Sequence, residues 1–457
     1  MSKLWGGRFE KETHHLVEKY TESLSVDARL WEVDVEASLA HLDMLAVQGI
    51  LTAENALSIR SALLEIQTEI RSGKSTFQKN AEDVHSEIER LLKEKVGPLA
   101  GMLHTARSRN DQVITDTKLY LRREGKEIIR EMKLLQQWII DFSEKNLETI
   151  LPGLTHTQHA QPVSLAHHFM AYFWMLNRDV GRLEDCLKRA DECPLGAGAL
   201  AGTSFPIDRT QTATTLRFSK ASENSLDTVS DRDYVIEFMS FSSLLMMHLS
   251  RLSEELIWWS SPEYGYVMLD DSVTTGSSMM PQKKNPDVAE LMRGKVGRVY
   301  GGLMGALTMM KALPLSYNRD MQEDKTFLFD GMDTVRMSLK LMRLMLETAK
   351  FFPERMKASL RGDFSNATDL ADDLVEKGMP FREAHEVAGK IVRQCISDRK
   401  GIEDLSIIEL KVFSKLFDEF TLQKLLHVNV MNARNSLGGT SAARVAEQIV
   451  RARDALR

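Results

Sequence analysis

The sequence predicts an all-α protein built on unusually long helices. No proline lies between Pro98 and Pro152, and none between Pro206 and Pro262, so two long stretches lack the residue that most often breaks a helix. Apolar residues recur through both stretches at helical spacing. Residues 234–259 are apolar nearly all round, which is typical of a helix buried on several sides. Since no stretch alternates like a strand between turn residues, we expect little sheet.

Caps and breaks along the chain place the other helices. Residues 31–70 have the spacing of two helices, with Thr52 as the cap of the second, and another helix is expected from the 81–87 segment to Lys95. The 234–259 helix is too long for one small bundle, so we expect it to pack against other subunits. Shorter helices are predicted after Pro353, at 368–377, 380–398, 406–413, 421–426 and 440–456.

Length and composition restrict the classes of function. The chain has 457 residues, more than one compact core normally holds, and we divide it into regions at 1–110, 111–360 and 361–457. A net charge of −6 favours neither nucleic acid nor a membrane surface as a partner. The three cysteines show no CxxC spacing and the N-terminus has no apolar signal segment, so a cytoplasmic location is expected.

The segment 275–287 has the features of a mobile anion-binding loop. Gly276 and the serines after it permit movement, while Asn285 suits a helix N-cap and Pro286 the first helical position. A helix is therefore expected over about 287–313, with its positive end beside two lysines. The alternative is an ordinary solvated turn, but two methionines and two prolines in one short segment argue against that interpretation.

The segment 103–112 combines two arginines with a helix start. Asn110 and Asp111 are predicted as the N-cap and the first-turn acid of a long helix, beside Arg107 and Arg109. Positive side chains at a helix N-terminus make a place for an anion. The other interpretation is a capped loop whose arginines are solvated, and the residues alone leave both open.

The segment 153–162 is dense in hydrogen-bonding side chains. His156 and His159 stand three residues apart and could ligate a metal, but no further metal-binding pattern accompanies them. A structural histidine is the stronger interpretation on the residues alone. The glycine-rich segment 195–203 lacks the spacing of a nucleotide loop and is predicted as a turn. Close approach of neighbouring backbones is predicted at five glycines of the helix after the 275–287 loop, namely Gly294, Gly297, Gly301, Gly302 and Gly305.

Two of these segments contain a family signature. Residues 276–285 match the pattern Gly-Ser-Ser-x-Met-Pro-x-Lys-x-Asn at every fixed position, and residues 155–162 match Thr-His-x-Gln-x-Ala-Gln-Pro. In both segments the chain resembles the fumarase/aspartase superfamily. The resemblance implies a long-helix bundle that forms the central multi-helix core of a homotetramer. It also implies a β-elimination that releases fumarate from a succinyl-bearing substrate.

Four segments narrow the resemblance to the argininosuccinate lyase branch of that superfamily. They are 3–9, 103–112, 280–287 and 315–325, and one departure is Ala106, where the branch usually has glycine. The resemblance implies that argininosuccinate is split into arginine and fumarate in arginine biosynthesis. It further implies active sites that each draw on three subunits, and a reaction that needs no metal or organic cofactor.

The same resemblance assigns roles to the matching residues. Ser277 would be the base that takes the Cβ proton, His156 its acid/base partner and Glu290 the residue that orients His156. The residues alone do not decide between Ser277 and Ser278 as the base. Two alternatives remain, namely another lyase of the superfamily, such as adenylosuccinate lyase, and a structural protein like the lens crystallins of this family. The residues expected to hold the substrate are Ser23, Arg109, Asn110, Thr155, Lys283, Asn285, Tyr317, Gln322 and Lys325.

Overall fold

The fold is mostly helical, as the sequence predicts. The structure, a computed structural model, describes residues 11–79 and 81–456, and these ranges contain nineteen α-helices. The segment 3–9, which contributes to the resemblance, lies outside the described residues. In chain order, α1 to α19 are His15–Thr21, Leu24–Asp27, Trp31–Val47, Ala53–Arg71, Val84–Val96, Arg109–Lys145, Leu165–Arg189, Arg209–Thr215, Ser225–Thr228, Asp233–Trp259, Asp287–Met310, Asp324–Thr348, Pro353–Ala358, Ala367–Glu376, Phe381–Asp398, Ile407–Phe413, Glu419–Lys424, His427–Ala433 and Ala442–Leu456.

The two proline-free stretches contain the two longest of these helices. α6 has 37 residues and α10 has 27. Val235, Phe238 and Leu245 of α10 are fully buried, whereas Leu244 on the same helix is exposed. The chain therefore covers only part of the apolar surface of α10. No helix in the described ranges combines the length and the apolar character that a membrane span requires.

The chain forms two compact units, and each unit is assembled from three separated stretches. In the first unit α3, α4 and α5 pack around Leu45, Ile59 and Leu92. In the second unit the C-terminal helices α14, α15 and α16 have a core that includes Leu374 and Ile391. The three-region division at 110 and 360 stays a prediction. The first unit consists of residues up to 128, 182–243 and 298–333, and the second of 129–181, 244–297 and 334 onward.

Short two-stranded sheets interrupt the helices, and these were not predicted from the sequence. β1 pairs with β2, β3 with β4, β5 with β8 and β6 with β7. Most of these strands have two residues, which are too few to show an alternation of apolar and polar side chains. In the longest pair Pro152 lies opposite Pro162, and because proline is uncommon within strands the sequence there does not resemble a hairpin. Within the described ranges, β1 to β8 are Ile150–Thr155, Gln158–Ser164, Glu192–Cys193, Lys220–Ala221, Val267–Met268, Thr275–Gly276, Lys284–Asn285 and Lys350–Phe351.

The start of α11 differs in detail from the prediction. The helix begins at Asp287, as expected. Asn285 is not its N-cap, because Asn285 belongs to β7 and pairs with Thr275. Pro286 lies just before the helix, and its carbonyl accepts a hydrogen bond from the N–H of Glu290 at 3.1 Å. The strand pairing therefore ties the first turn of α11 to the loop in front of it.

Helix α11 is continuous despite its glycines. A Cβ on Gly302 would lie 2.8 Å from Met239 Cε, and a Cβ on Gly305 would lie 2.7 Å from the ring of Phe327. At these two glycines the closest neighbours are side chains, so a close approach is present there but not the approach of backbones that was predicted. The prediction is wrong for the other three within this chain, since no described atom lies within 4 Å of a Cβ built on Gly294, Gly297 or Gly301.

Ala106, the departure from the branch pattern, adopts a left-handed backbone conformation with φ of 59°. Glycine enters this region freely, whereas a Cβ there costs about 1 kcal/mol. We therefore expect Ala106→Gly to raise the free energy of unfolding by up to about 1 kcal/mol. The measurement is the midpoint of thermal unfolding at one protein concentration and one scan rate.

The matched control is Ala446→Gly in the middle of α19. Because Ala446 has ordinary helical neighbours, glycine there should lower the free energy of unfolding by about 1 kcal/mol. The two substitutions are chemically identical and differ in the backbone conformation that they replace. If Ala106→Gly lowered the midpoint as Ala446→Gly does, the strain assigned to Ala106 would be wrong.

Candidate active site

The hairpin of β6 and β7 presents the first serine of the signature. Its loop comprises residues 277–283. Ser277 Oγ accepts hydrogen bonds from the backbone N–H groups of Met279 at 3.2 Å and Met280 at 3.0 Å. Donors that point at a hydroxyl oxygen stabilise negative charge on it and so favour loss of its proton. Among the described residues Ser278 makes no such hydrogen bond, and its side chain is exposed.

Two lysines of the loop differ in their partners. Lys284 Nζ lies 2.6 Å from Asp271 Oδ1, so its charge is already paired. Lys283 is exposed and has no ion-pair partner among the described residues. Glu290 is exposed in the first turn of α11. An unpaired ammonium near the positive end of a helix can receive an anion, so Lys283 is the better candidate of the two.

His156 lies at the tip of the β1–β2 hairpin. The turn consists of His156 and Thr157, and both have a left-handed φ, of 53° and 61°. Residues other than glycine rarely adopt this region, and such strain is concentrated at functional sites. His156 is exposed there, next to Thr155, the last residue of β1. His159 instead lies 2.9 Å from Asp363, so it is bound to the chain's own acid.

Ser23 lies where three distant segments of the first unit meet. Its backbone N–H donates to the carbonyl of Glu82 at 2.8 Å, and its hydroxyl donates to Asp27 at 2.6 Å. Gln322, 300 residues after Glu22 in the sequence, donates from Nε2 to the carbonyl of Glu22 at 3.3 Å. The structure therefore brings together Ser23 and Gln322, which the sequence predicted as substrate-binding residues.

Arg109 lies near Ser23 because it binds Asp83, the residue after Glu82. Arg109 Nε lies 3.1 Å from Asp83 Oδ2, and Asp83 caps α5 by accepting the N–H of Ser86 at 2.7 Å. Burial opposes ionisation of Asp83, but the charges of Arg109 and His85 hold its pKa below the ordinary value. The carboxylate therefore stays ionised and orients the guanidinium of Arg109.

Lys325 is buried beside a second cation. Its Nζ lies 2.8 Å from Asp324 Oδ1, and Arg232 also donates to Asp324. Two cations share one carboxylate, and Arg232 Nη2 is buried without a partner in the described part of the chain. The excess positive charge makes this a place for an anion. Tyr317 is half-buried, and burial raises the pKa of its hydroxyl, which therefore stays a neutral donor.

At the start of α6 the predicted N-cap is wrong and the predicted first-turn acid is confirmed. Asn110 is not the N-cap, because Ser108 precedes the helix and its Oγ accepts the N–H of Asn110 at 3.2 Å. Asp111 is in the first turn, as predicted, and burial raises its pKa to about 6. Its carboxylate accepts N–H groups of the glycine turn 196–198 at 2.8 and 2.9 Å. Asn110 Nδ2 donates to Ala199 of the same turn at 3.0 Å.

The three predicted catalytic residues are not joined within one chain. Among the described residues, no hydrogen bond or ion pair links His156 to Ser277 or to Glu290. All three belong to the second unit, and His156 and Glu290 are exposed. Their joint action stays a prediction. The structure does gather Ser23, Arg109 and Gln322 in the first unit, where Lys325 and Tyr317 also lie.

One group of described residues has the spacing of metal ligands. Donor atoms of Asp34, His85 and Asp116 all lie within 4.8 Å of one another. His85 Nδ1 is 2.8 Å from Asp34, and Gln112 donates to Asp34 at 2.5 Å. Burial and the charge of Asp34 raise the pKa of Asp116 well above its ordinary value, so Asp116 keeps its proton. Because His85 and Gln112 already bind Asp34 and Asp116 is protonated, we assign no metal to this group.

Three acids that hold the predicted substrate-binding residues were not predicted from the sequence. Asp27, Asp83 and Asp324 each contact one of them. The available signal for Asp83 was its position immediately before α5, where aspartate is a common N-cap. Asp27 and Asp324 each lie within four residues of the partner named here, but each also binds a distant group, the N–H of Val84 and the guanidinium of Arg232, which no local pattern indicates.

Comparison with known proteins gives two family matches that together span most of the chain. A model described as Lyase matches residues 7–301, which is more than half of the chain. A second model, described as Argininosuccinate lyase C-terminal, matches residues 364–432. The signature loop and the 153–162 segment fall within the first match, and α15 and α16 fall within the second.

Full-length relatives and solved structures agree with these matches. The argininosuccinate lyase of Symbiobacterium thermophilum is 52% identical over 456 residues, which cover 100% of this chain and 99% of that protein. The argininosuccinate lyase of Carboxydothermus hydrogenoformans is 54% identical over 455 residues, covering 99% and 100%. The solved structure of EDDS lyase with formate is 27% identical, with a TM-score of 0.84 over 97% of this chain and 89% of that chain. A class II fumarase of Schistosoma mansoni, 15% identical with a TM-score of 0.75 over 88% and 90%, shares the fold. The chain therefore belongs to the argininosuccinate lyase family of the fumarase/aspartase superfamily.

Proposed function

We propose that the chain is an argininosuccinate lyase, which reversibly splits 2-(N(omega)-L-arginino)succinate into L-arginine and fumarate in arginine biosynthesis. The observation that best supports this assignment is the position of the Ser277 hydroxyl. This hydroxyl lies in the signature loop, and its oxygen accepts two backbone N–H groups. Relatives that share about half of their residues with the chain, over its full length, are argininosuccinate lyases, which supports this substrate.

The first chemical step is removal of a proton from Cβ of the succinyl group. This proton is only weakly acidic, and charge accumulates on the adjacent carboxylate as the C–H bond breaks. Cations and N–H donors around that carboxylate therefore lower the barrier, most strongly where water is excluded. We assign this stabilisation to Lys283 and Asn285 at the positive end of α11. Ser277 takes the proton, because the N–H donors on its oxygen favour the alkoxide.

The second step needs an acid for the departing guanidine, since it leaves as a stable cation once it is protonated. We assign His156 as this acid/base partner and Glu290 as the residue that orients its imidazole. The exposed hairpin tip supports this assignment, because it presents His156 away from its own chain. In that position the imidazole can enter a site that another subunit completes.

The residues of the first unit are suited to hold the substrate. The charges of Arg109 and Lys325 match the carboxylates of the succinyl group. The hydroxyl and amide groups of Ser23, Asn110 and Gln322 can take up the amino-acid end, and so can Tyr317 and Thr155. Because Asp83 and Asp324 fix the two cations before substrate arrives, less ordering is required on binding.

We propose that the protein assembles as a homotetramer in the cytoplasm, with three subunits at each active site and the 111–360 bundle at its centre. Large apolar side chains of the long helices are exposed in the single chain, and a central bundle would bury them. The bare surface at the three glycines of α11 would allow close packing there. The reaction as assigned uses side chains alone and needs no cofactor. The exposed apolar residues include Leu244, Met304, Leu307, Met337 and Leu344.

The proposed function is tested by incubating the purified protein with argininosuccinate and following the absorbance of fumarate. We expect fumarate and L-arginine in equal amounts, and no fumarate from adenylosuccinate as the control. Release of fumarate from adenylosuccinate alone would place the chain in a different branch. Release from neither compound would favour a structural role like that of the lens crystallins.

A further inference from the structure

The second unit contains a cavity of about 440 Å³ that the proposed reaction does not use. Its walls come from α7, α10, the β1–β2 hairpin and the segment after α10. This volume lies in the range of small-molecule sites, which are mostly apolar with a few placed polar groups. Leu154 and Thr157 line the cavity and flank the hairpin tip at His156. A molecule bound here would therefore contact the hairpin.

Glu255 of α10 supplies an oriented negative charge in this cavity. Its Oε2 accepts hydrogen bonds from His168 at 2.6 Å and from the hydroxyl of Tyr172 at 2.7 Å. These donors hold the pKa of Glu255 below its ordinary value despite burial, so the carboxylate is ionised. Its second oxygen, Oε1, makes no hydrogen bond to the described residues. One oxygen therefore fixes the group while the other is available to a cationic ligand.

Arg251 supplies a positive charge one helical turn away. Its guanidinium is exposed, and its one hydrogen-bond contact among the described residues is Met175 Sδ at 4.0 Å. No described carboxylate forms an ion pair with it, and Glu255 is bound to His168 instead. Residues four apart on a helix lie side by side, about 5 to 6 Å between their Cβ atoms. The cavity therefore presents a cation without an ion-pair partner among the described residues and a half-satisfied carboxylate on successive turns of one helix, so both charges of a zwitterionic ligand would have a partner.

Aromatic rings form the wall beyond these charges. Trp258 stacks on Tyr264 with centroids 6.4 Å apart and an angle of 22°, and Trp259 lies 6.2 Å from Tyr266. Indole and phenol faces attract flat cations such as guanidinium, and Trp is the strongest of them. The wall therefore favours a side chain that is both flat and positively charged over one that is only apolar.

We propose that this cavity binds a zwitterionic amino acid with a flat cationic side chain, its carboxylate on Arg251, its ammonium on Glu255 and its side chain against Trp258 and Tyr264. L-arginine, which the proposed reaction releases, has this chemistry and is the probe. The relevance of arginine rests on the proposed function, whereas the binding itself does not. The bound ligand lies against Leu154 and Thr157 and so buttresses the hairpin that ends at His156.

The test is a titration of tryptophan fluorescence with L-arginine, since two of the six tryptophans line the cavity. We expect a saturable change in the wild type. Its apparent Kd should rise about tenfold or more in Glu255→Gln and in Arg251→Gln, because each loses one charge-assisted contact. Glu263→Gln, an exposed acid just after α10, is the matched control and should leave the Kd unchanged. Trp258→Leu, which keeps both charges, should weaken binding about threefold or more.

Ligand analogues separate the parts of the proposal. Agmatine lacks the carboxylate and L-norleucine lacks the side-chain charge, so both should bind more weakly than L-arginine. The proposal would be overturned if the wild type showed no saturable change. It would also be overturned if the wild type and Glu255→Gln bound L-arginine equally, or if L-norleucine bound as tightly as L-arginine. Fumarate release from argininosuccinate is followed separately in every variant. If the wild type released no fumarate from argininosuccinate, that result would contradict the proposed function but not the proposed binding of L-arginine.

Discussion

Replacing Ser277 with alanine is expected to lower kcat by about a thousandfold, because the substitution removes the group to which we assign removal of the Cβ proton. The two backbone N–H groups that point at Ser277 Oγ would then have no alkoxide to stabilise. Assembly should be unaffected, since the side chain lies in a loop and contacts only that loop. The measurement is the rate of fumarate release at saturating argininosuccinate, with the oligomeric state followed by light scattering.

Ser278→Ala is the matched control for this prediction. Ser278 is the adjacent hydroxyl of the same loop, but it is exposed and accepts neither N–H group. We expect it to retain most of the wild-type kcat. A larger loss in Ser278→Ala than in Ser277→Ala would transfer the role of the base to Ser278. An unchanged kcat in both variants would remove the loop hydroxyls from the mechanism.

Mixing two inactive variants is expected to restore activity. If His156 and Ser277 reach one active site from different subunits of the proposed homotetramer, oligomers re-formed from His156→Asn and Ser277→Ala subunits contain some sites with both native residues. At equal amounts and random assembly, about a quarter of the sites meet this condition, so about a quarter of the wild-type rate should return. The physical basis is the exposed position of His156, which no described contact joins to Ser277 in the single chain.

The control for the hybrid experiment pairs Ser277→Ala with Glu290→Gln. Both residues belong to one continuous segment, a hairpin followed directly by the first turn of α11. They should therefore enter a site from the same subunit, and mixing should restore nothing beyond the activity of the better variant. Recovery in the control as large as in the first mixture, or no recovery in either, would contradict sites shared in the way we propose.

The start of α6 was predicted from the sequence to within two residues. The sequence predicted a long helix there, with Asp111 in its first turn, and both are confirmed. It placed the cap two residues late, because Ser108, Asn110 and Asp111 are all good capping residues and only the actual hydrogen bonds decide among them. The family signature at 276–285 was recognised for a similar reason, since its information lies in consecutive residues.

The strands and the turn at His156 were not predictable in this way. A strand of two residues, such as β6, has no periodicity of its own and exists because β7 pairs with it. The left-handed φ of His156 likewise depends on the pairing of β1 with β2, since residues other than glycine adopt that conformation only rarely. Sequence patterns give the preference of each residue, whereas pairing can override it.

The sequence alone determined the helical class, the long helices, the signature loop and the family, because each depends on residues within a few turns of one another. Only folding decided that Gln322 reaches the Ser23 segment, that Asp83 orients Arg109, and that Arg232 binds Asp324. These contacts join residues far apart in the chain. They depend on how all the helices pack together, and no local spacing encodes that arrangement.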